Sequence, residues 1–385
     1  MKVFVIAGEP SGDKLGSALM AGLNHLVPDV TYEGIGGPMM QAQGMESLFP
    51  MQELSLMGIA EILPKYRHLK RRIRQTADAI IAAKPDVLIT IDSPDFCLRV
   101  ARLVKAGSDI RTVHYVAPTV WAWRAGRAAK MAQVIDQVLA LFPFEPPFME
   151  AEGMRCDFVG HPVAAEAPVT PVEIQTFASV NGLAKDKKTI VVLPGSRRSE
   201  IERLSETFLQ AIEDTDLSDK QIIIPTLPHL RDRVTDLFKP LLEGTGGVIV
   251  DGAGLGAKDA ARERLVAMAV ADVALAASGT VSLELAAART PMVIAYDMNW
   301  LSRQIISRML LTDTVTLVNL VSETRVVPEF IGRDCQPKPI TATLLDSIST
   351  PDEQLAALDL TMERLGRGGD APGLRAARAV LSGLS

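Results

Sequence analysis

An apolar run that ends at a Gly-Ser turn and continues into a charged helix, VVLPGSRRSEI from Val191 to Ile201, constrains the second half of this chain more than any other segment. Its apolar residues do not alternate with polar ones, which is the pattern of a parallel strand covered on both faces. The turn sets the backbone N–H groups of a helix start beside two arginines, a place where a di-anion is held. AGEPSGD, Ala7 to Asp13, follows the first strand in the same way. Two strand-turn-helix openings, one near residue 1 and one near residue 190, predict two similar α/β halves.

Length agrees with that division. A chain of 385 residues exceeds one comfortable core and suits two domains of roughly 150 to 200 residues. With 48% hydrophobic and 22% charged residues the composition is that of an ordinary globular protein. The net charge of -6 supplies no global basic field for nucleic acid, so any anion must be captured locally. Cys97, Cys156 and Cys335 are widely spaced and form no C-x-x-C pair, which argues for buried thiols and against a zinc or iron-sulfur centre. MKVFVIAGE reads as a first strand and not as a signal peptide. The richest apolar stretch, Leu265 to Ala277, contains Asp272 and falls short of the roughly 18 residues of a membrane span, so a soluble or surface-resting protein is expected.

Strands are expected at Val3 to Ala7, Thr31 to Gly34, Val87 to Ile91, Thr112 to Val116, Gln137 to Ala140 and Cys156 to Val159, separated by helical segments. Prolines and alanines from Pro162 to Pro171 interrupt the pattern. It resumes with strands at Ile190 to Leu193, Ile222 to Pro225, Val248 to Val250, Val273 to Ala276 and Met292 to Ala295, and late helices follow at Trp300 to Leu310 and Ile340 to Leu384. The expected division is a first domain over 1–165, a linker over 166–188, a second domain over 189–345 and C-terminal helices over 346–385.

Several constellations follow strand ends, where open α/β sheets bind ligands. Gly8, Gly12 and Gly16 do not form G-x-G-x-x-G, which disfavours a nicotinamide enzyme, and Asp13 is either part of a ligand turn or a helix cap. TIDSPDF, Thr90 to Phe96, puts Asp92 and Asp95 directly after a buried strand; they serve either as a general base and a cap or as two caps. HYVAPTVWAWR, His114 to Arg124, offers indole faces for a sugar or base and an arginine for phosphate, or else an aromatic packing cluster. His161 in GHP lines a cleft or ties a hinge. ASGTVSLE, Ala277 to Glu284, is a further anion turn, with Ser278, Gly279 and Thr280 at a helix entry and Glu284 one turn on. Glu284 either accepts the hydroxyls of a ribose or is an ordinary acid favoured by the helix dipole. Finally, Ile62, Leu63, Tyr66 and Leu69 are interleaved with Lys65, Arg67, His68, Lys70, Arg71, Arg72 and Arg74. This segment suits a helix resting on anionic lipid or a solvated face, and it lacks the repeated aromatic platform that nucleic acid would need.

In colinear order AGEPSGD, GIGGPMMQAQG, ELSLMGIAEIL, IDSPDF, HYVAPTVWAWR, LFPFE, GHP, LPGSRRSEI, ASGTVSLE and TLVNL resemble the lipid-A-disaccharide synthase family over nearly the whole chain. The resemblance implies an α/β fold of two Rossmann-like domains of the GT-B type, with an interdomain cleft and C-terminal helices. It implies an inverting glycosyltransferase that moves 2,3-diacylglucosamine from UDP-2,3-diacylglucosamine to 2,3-diacylglucosamine 1-phosphate, releasing UDP and forming the β-1,6 lipid A disaccharide. UDP-sugar is then a substrate, no cofactor is implied and no metal is expected, in keeping with the lack of a D-x-D motif placed for a nucleotide diphosphate.

Carried over residue by residue, the family's essential aspartate is Asp92, its diphosphate-associated arginine is Arg197 and its functional asparagine is Asn319. Gly195, Ser196, Arg197, Ser278, Gly279, Thr280 and Glu284 match the nucleotide-sugar turns, with Glu284 toward the ribose. The sequence departs from the family pattern at Val318, where proline often precedes the asparagine, and at Glu166, where aspartate is common after GHP. The family also implies peripheral association with the cytoplasmic face of the inner membrane, here through Ile62, Leu63, Tyr66, Leu69 and nearby basic residues. Exchange of C-terminal elements in a homodimer is known in the family, and Trp300, Met309 and Leu310 lie in the helices that would make such a contact.

Overall fold

The computed structural model describes residues 1–54, 59–122, 126–298 and 312–384; the side chains of 59–66 and of residue 217 lie outside the description. Trp123, Arg124, Trp300, Met309 and Leu310, and the side chains of Ile62, Leu63, Lys65 and Tyr66, are therefore outside it. The chain divides into two compact units, 1–165 with 365–385, and 166–364.

Among the described residues the first unit is built on a seven-stranded parallel sheet. Its strands are β1 (Lys2–Ala7), β2 (Thr31–Ile35), β3 (Glu46–Ser47), β4 (Val87–Ile91), β5 (Arg111–Tyr115), β6 (Gln137–Ala140) and β7 (Arg155–Phe158), in the order β3-β2-β1-β4-β5-β6-β7. The continuous apolar runs are explained by burial on both faces: every residue of β4 and β6 is buried, with helices covering the sheet. The order reverses between β1 and β4, and the register sets Ala7 opposite Ile91 and Ile91 opposite Tyr115. Gly8, Asp92 and Val116 thus leave the sheet at one level. The last helix, Pro372–Leu384, belongs to this unit: Gln137 donates to the Ala379 carbonyl at 2.9 Å, and Arg155 and Arg375 donate to the carbonyls of Ser382 and Phe158, each at 2.9 Å.

The second unit carries β8 (Lys188–Leu193), β9 (Lys220–Pro225), β10 (Val248–Val250), β11 (Val273–Ala277), β12 (Met292–Tyr296) and β13 (Glu329–Ile331), all parallel, in the order β10-β9-β8-β11-β12-β13. Its core joins Ile190, Val192, Ile222 and Leu275 of the sheet to Ile201, Phe208, Phe238 and Leu344 of the covering helices. Here the order reverses between β8 and β11, and Leu193 lies opposite Ala276, so the two anion turns leave the same edge side by side.

Residues 171–180, within the expected linker over 166–188, form a helix, because Thr170 and Glu173 close a capping box and Pro171 sits at the first helical position. Arg262 then fixes this helix by donating to both Glu173 oxygens at 2.7 Å. The late helical segment from residue 340 resolves into Pro337–Ser349, Asp352–Arg364 and Pro372–Leu384.

Candidate active site

In the second unit the Gly195–Arg197 turn, the Ser278–Thr280 turn and Glu284 line one cavity of about 360 Å³. That volume suits a nucleotide-sized ligand. The cavity lies beyond the carboxyl ends of β8 and β11, at the point where strand order reverses, which is where open α/β sheets take ligands. Gly195 has φ of 122°, and a Cβ there would lie 2.8 Å from that of Glu200, so the turn requires glycine. Glu200 reaches back from the helix Arg198–Glu213: one oxygen accepts from Arg197 Nη1 at 2.9 Å, and the other accepts from the backbone N–H groups of Ser196 and Arg197, each at 3.3 Å. Arg197 is 65% exposed at its side chain and Glu200 only 15%. The guanidinium is thus presented to solvent while its anchor is covered. Burial raises the nearby Tyr296 phenol above its ordinary value, with Glu200 adding to the effect, so the hydroxyl stays protonated.

The second turn is differently arranged. Among the described residues the N–H groups of Gly279 and Thr280 donate to no partner, which leaves a nest open to an anion. Arg264, from the helix Ala257–Ala269, places Nε and Nη2 each 3.0 Å from Glu284 Oε2. Thr226, just past β9, lines the same cavity with a buried Oγ1 that has no hydrogen-bond partner among the described residues. Glu200, Arg264 and Thr226 were not singled out in the sequence. Only Glu200 carried a local signal, three residues past a helix entry.

Asn319 is not among the residues lining that cavity. It is 1% exposed, donates to the Val327 carbonyl at 2.9 Å and accepts from the Val327 N–H at 3.1 Å. Its Nδ2 also lies 3.4 Å from Glu329, a carboxylate that accepts from the backbone N–H of Thr316 at 2.7 Å and from the Thr314 hydroxyl.

In the first unit the turns after β1 and β4 meet. A Cβ on Gly8 would fall 2.5 Å from Ser93 Oγ. Asp92 and Ser93 adopt φ of 50° and 43°, and Val116, level with Asp92 on the neighbouring strand, adopts 85°. Left-handed backbone at a β-branched valine is costly, and such strain collects at functional sites. Asp92 is half-buried, its N–H donating to the Tyr115 carbonyl at 3.0 Å, with Ser93 at the N-cap position of the helix Pro94–Gly107, its side chain making no cap bond, and Asp95 in the first turn. Asp92 also helps burial push the Cys97 thiol up. All three cysteines are buried.

Asp13 resolves as a cap, though of a neighbour: buried, it accepts from the N–H groups of Gly37, Met39 and Met40 at 2.9 to 3.0 Å, closing the start of the short helix Pro38–Gln41. His114 is buried against Thr90 Oγ1 at 2.7 Å, and burial lowers its pKa to about 4. Burial, with Lys14 nearby, takes His161 to about 4 as well. Trp121 joins an aromatic row: its ring meets Phe144 edge-on at 5.2 Å, Phe144 stacks on Phe142 at 5.3 Å and Phe142 on His161 at 5.6 Å. Under this row burial raises Glu145 to about 8, against the opposing bonds from the Phe142 and Leu141 N–H groups.

A basic face occupies the outside of the same unit. Lys70, Arg71 and Arg74 line a groove of about 870 Å³ with Arg99 and Arg102 of the next helix. Arg99 and Arg102 also border a groove of about 510 Å³ with Arg127 and Lys130. Asp78 and Asp95 are the acids of these grooves, and Leu103, which lines the first, is 38% exposed. Arg74, Arg99, Arg102, Arg127 and Lys130 form no ion pair among the described residues. No described helix is long and apolar enough to cross a membrane.

Comparison with known proteins places these features. Two solved structures are similar in fold: a UDP-GlcNAc 2-epimerase from Neisseria meningitidis bound to UDP-GlcNAc (TM-score 0.63, 13% identity, 100% of this chain and 99% of that one) and MurG from Acinetobacter baumannii (TM-score 0.56, 13% identity, 100% and 98%). Sequence relatives are nearer. A lipid-A-disaccharide synthase from Ruegeria pomeroyi is 59% identical, covering 100% of this chain and 96% of the relative, and one from Rhodospirillum centenum is 42% identical, covering 99% and 94%. The model of the family described as lipid-A-disaccharide synthetase matches residues 3–366. The two units are Rossmann-like α/β layers of the GT-B kind, and this chain belongs to the lipid-A-disaccharide synthetase family.

Proposed function

We propose that this enzyme, an inverting glycosyltransferase of lipid A biosynthesis, transfers 2,3-diacylglucosamine from UDP-2,3-diacylglucosamine to the 6-hydroxyl of 2,3-diacylglucosamine 1-phosphate. The observation that carries the donor half of this reading is the meeting of Gly195–Arg197, Ser278–Thr280 and Glu284 around one cavity at the switch point of the second sheet. Arg197 offsets the charge that develops on departing UDP, and Glu284 accepts the ribose hydroxyls. In the first unit Asp92 takes the proton of the acceptor 6-hydroxyl while that hydroxyl's oxygen bonds to C1 of the donor sugar and the bond from C1 to UDP breaks. The backbone strain at Asp92, Ser93 and Val116 supports that assignment. Asn319 enters as a positioning residue, because its amide is committed to the backbone of Val327 and to the Glu329 network.

The acyl chains must come from a bilayer. The basic grooves along Arg74, Arg99, Arg102, Arg127 and Lys130 support docking on an anionic membrane surface, which for this biosynthesis is the cytoplasmic face of the inner membrane, with Ile62, Leu63, Tyr66 and Leu69 as the apolar contribution. Asp92→Asn tests the base: it removes the proton acceptor with little change in size, and transfer should fall by at least about 100-fold while the thermal melt is kept. Turnover at the wild-type rate in folded Asp92→Asn enzyme would refute the assignment. Arg197→Ala should slow transfer by roughly 100-fold through lost diphosphate stabilisation.

A further inference from the structure

The charged side chains lining the cavity of the second unit are Arg197, Glu200, Arg264 and Glu284, and each arginine is already paired with a glutamate. A cavity balanced in this way offers little net attraction to a nucleoside diphosphate unless one pair opens. The two pairs differ in how easily they do so. Glu200 is bound at both oxygens, to Arg197 and to two backbone N–H groups, and its side chain is 15% exposed. Glu284 takes both of its Arg264 contacts on the single oxygen Oε2, with the two side chains 35% and 37% exposed. A pair that open to water costs little to separate.

Resting on the donor reading above, we propose that Arg264 is a second cation for the donor diphosphate, released when Glu284 turns to the ribose hydroxyls. The exchange replaces one ion pair by two contacts to the ligand, carboxylate to diol and guanidinium to phosphate, so both charged groups keep hydrogen-bond partners. The free N–H groups of Gly279 and Thr280 border the same space as Arg264 and give the phosphate a nest on its other side. Arg197 then meets the anion from the β8 turn and Arg264 from the β11 side.

Titration calorimetry of the full chain with UDP and with uridine tests the exchange. Arg264→Gln should weaken UDP roughly 10-fold or more while changing uridine less than about 2-fold, since only UDP carries the group that Arg264 holds. Glu284→Gln should weaken uridine more than UDP, because both lose the ribose contact while only UDP gains from a guanidinium already released. Arg264→Lys, which keeps the charge but loses the fork, should fall between wild type and Arg264→Gln, and it carries the test if the glutamine variant does not give a normal thermal melt. UDP bound by folded Arg264→Gln as tightly as by wild type would overturn the proposal. Equal losses for UDP and uridine would also overturn it, leaving Arg264 as a mere support for Glu284. Wild-type protein with no affinity for UDP would sink the donor reading itself, an outcome distinct from either.

Discussion

The side-chain amide of Asn319 closes on the backbone of Val327 in both directions, donating to its carbonyl at 2.9 Å and accepting from its N–H at 3.1 Å. Both groups are buried, so the pair replaces a strand partner that this loop lacks. Asn319→Ala should therefore destabilise the protein by about 2–4 kcal/mol, the cost of leaving buried polar groups unpaired. Denaturant melts would measure it. A variant as stable as wild type but without transfer activity would show instead that Asn319 touches the reacting groups.

Three titratable groups of the first unit, the buried His114 and Glu145 and the partly buried His161, give stability a defined pH dependence. His114 and His161 are held neutral in the fold, with pKa values lowered by burial from 6.5 to about 4, so their contribution is complete above about pH 6.5 and is lost as pH falls toward 4. Glu145 runs the other way: raised by burial from 4.5 to about 8, it favours the protonated fold and costs stability as pH rises through that range. Between pH 6.5 and 8 the histidine contribution is constant, so the Glu145 decline stands alone there. Glu145→Gln should flatten it, while His161→Asn should reduce the loss between pH 6.5 and 4. Thermal melts across pH check both, and an unchanged slope in Glu145→Gln would count against the buried-acid account.

Membrane docking should depend on charge at the helix Pro94–Gly107 and not only on the segment around Leu69. With each surface cation contributing about 1 kcal/mol near anionic lipid, the double change Arg99→Glu and Arg102→Glu should reduce co-sedimentation with anionic vesicles by roughly 10-fold or more. Binding to zwitterionic vesicles should be weak throughout. Undiminished binding of the double variant to anionic vesicles would exclude this face.

Much of this organisation was legible in the residues because parallel strands buried on both faces announce themselves as unbroken apolar runs. Val87–Ile91, Gln137–Ala140 and Val248–Val250 occupy the expected spans, and the turn residues that follow β8 and β11 share one cavity. What was hidden depended on partners distant in sequence. β3 spans two residues and β13, Glu329–Ile331, begins on a glutamate and offers no unbroken apolar run; both exist by pairing at sheet edges. The helix Arg231–Thr245 is masked by its charges and by Pro240. Its inner side appears only when Val234, Phe238 and Leu241 are seen buried against the sheet. Arg264 pairs with a glutamate twenty positions away, and Asp13 caps a helix other than its own, contacts that no local pattern encodes. The capping box at Thr170 and Glu173 was readable and marks a helix inside a segment whose prolines suggest only a linker.

The transfer reaction itself can be observed directly. Purified protein incubated with UDP-2,3-diacylglucosamine and 2,3-diacylglucosamine 1-phosphate, without added metal, can be followed for UDP release and disaccharide formation by mass spectrometry. UDP and the β-1,6 disaccharide 1-phosphate should appear in equal amounts. Folded protein that binds UDP but forms no disaccharide would rule out the transferase activity.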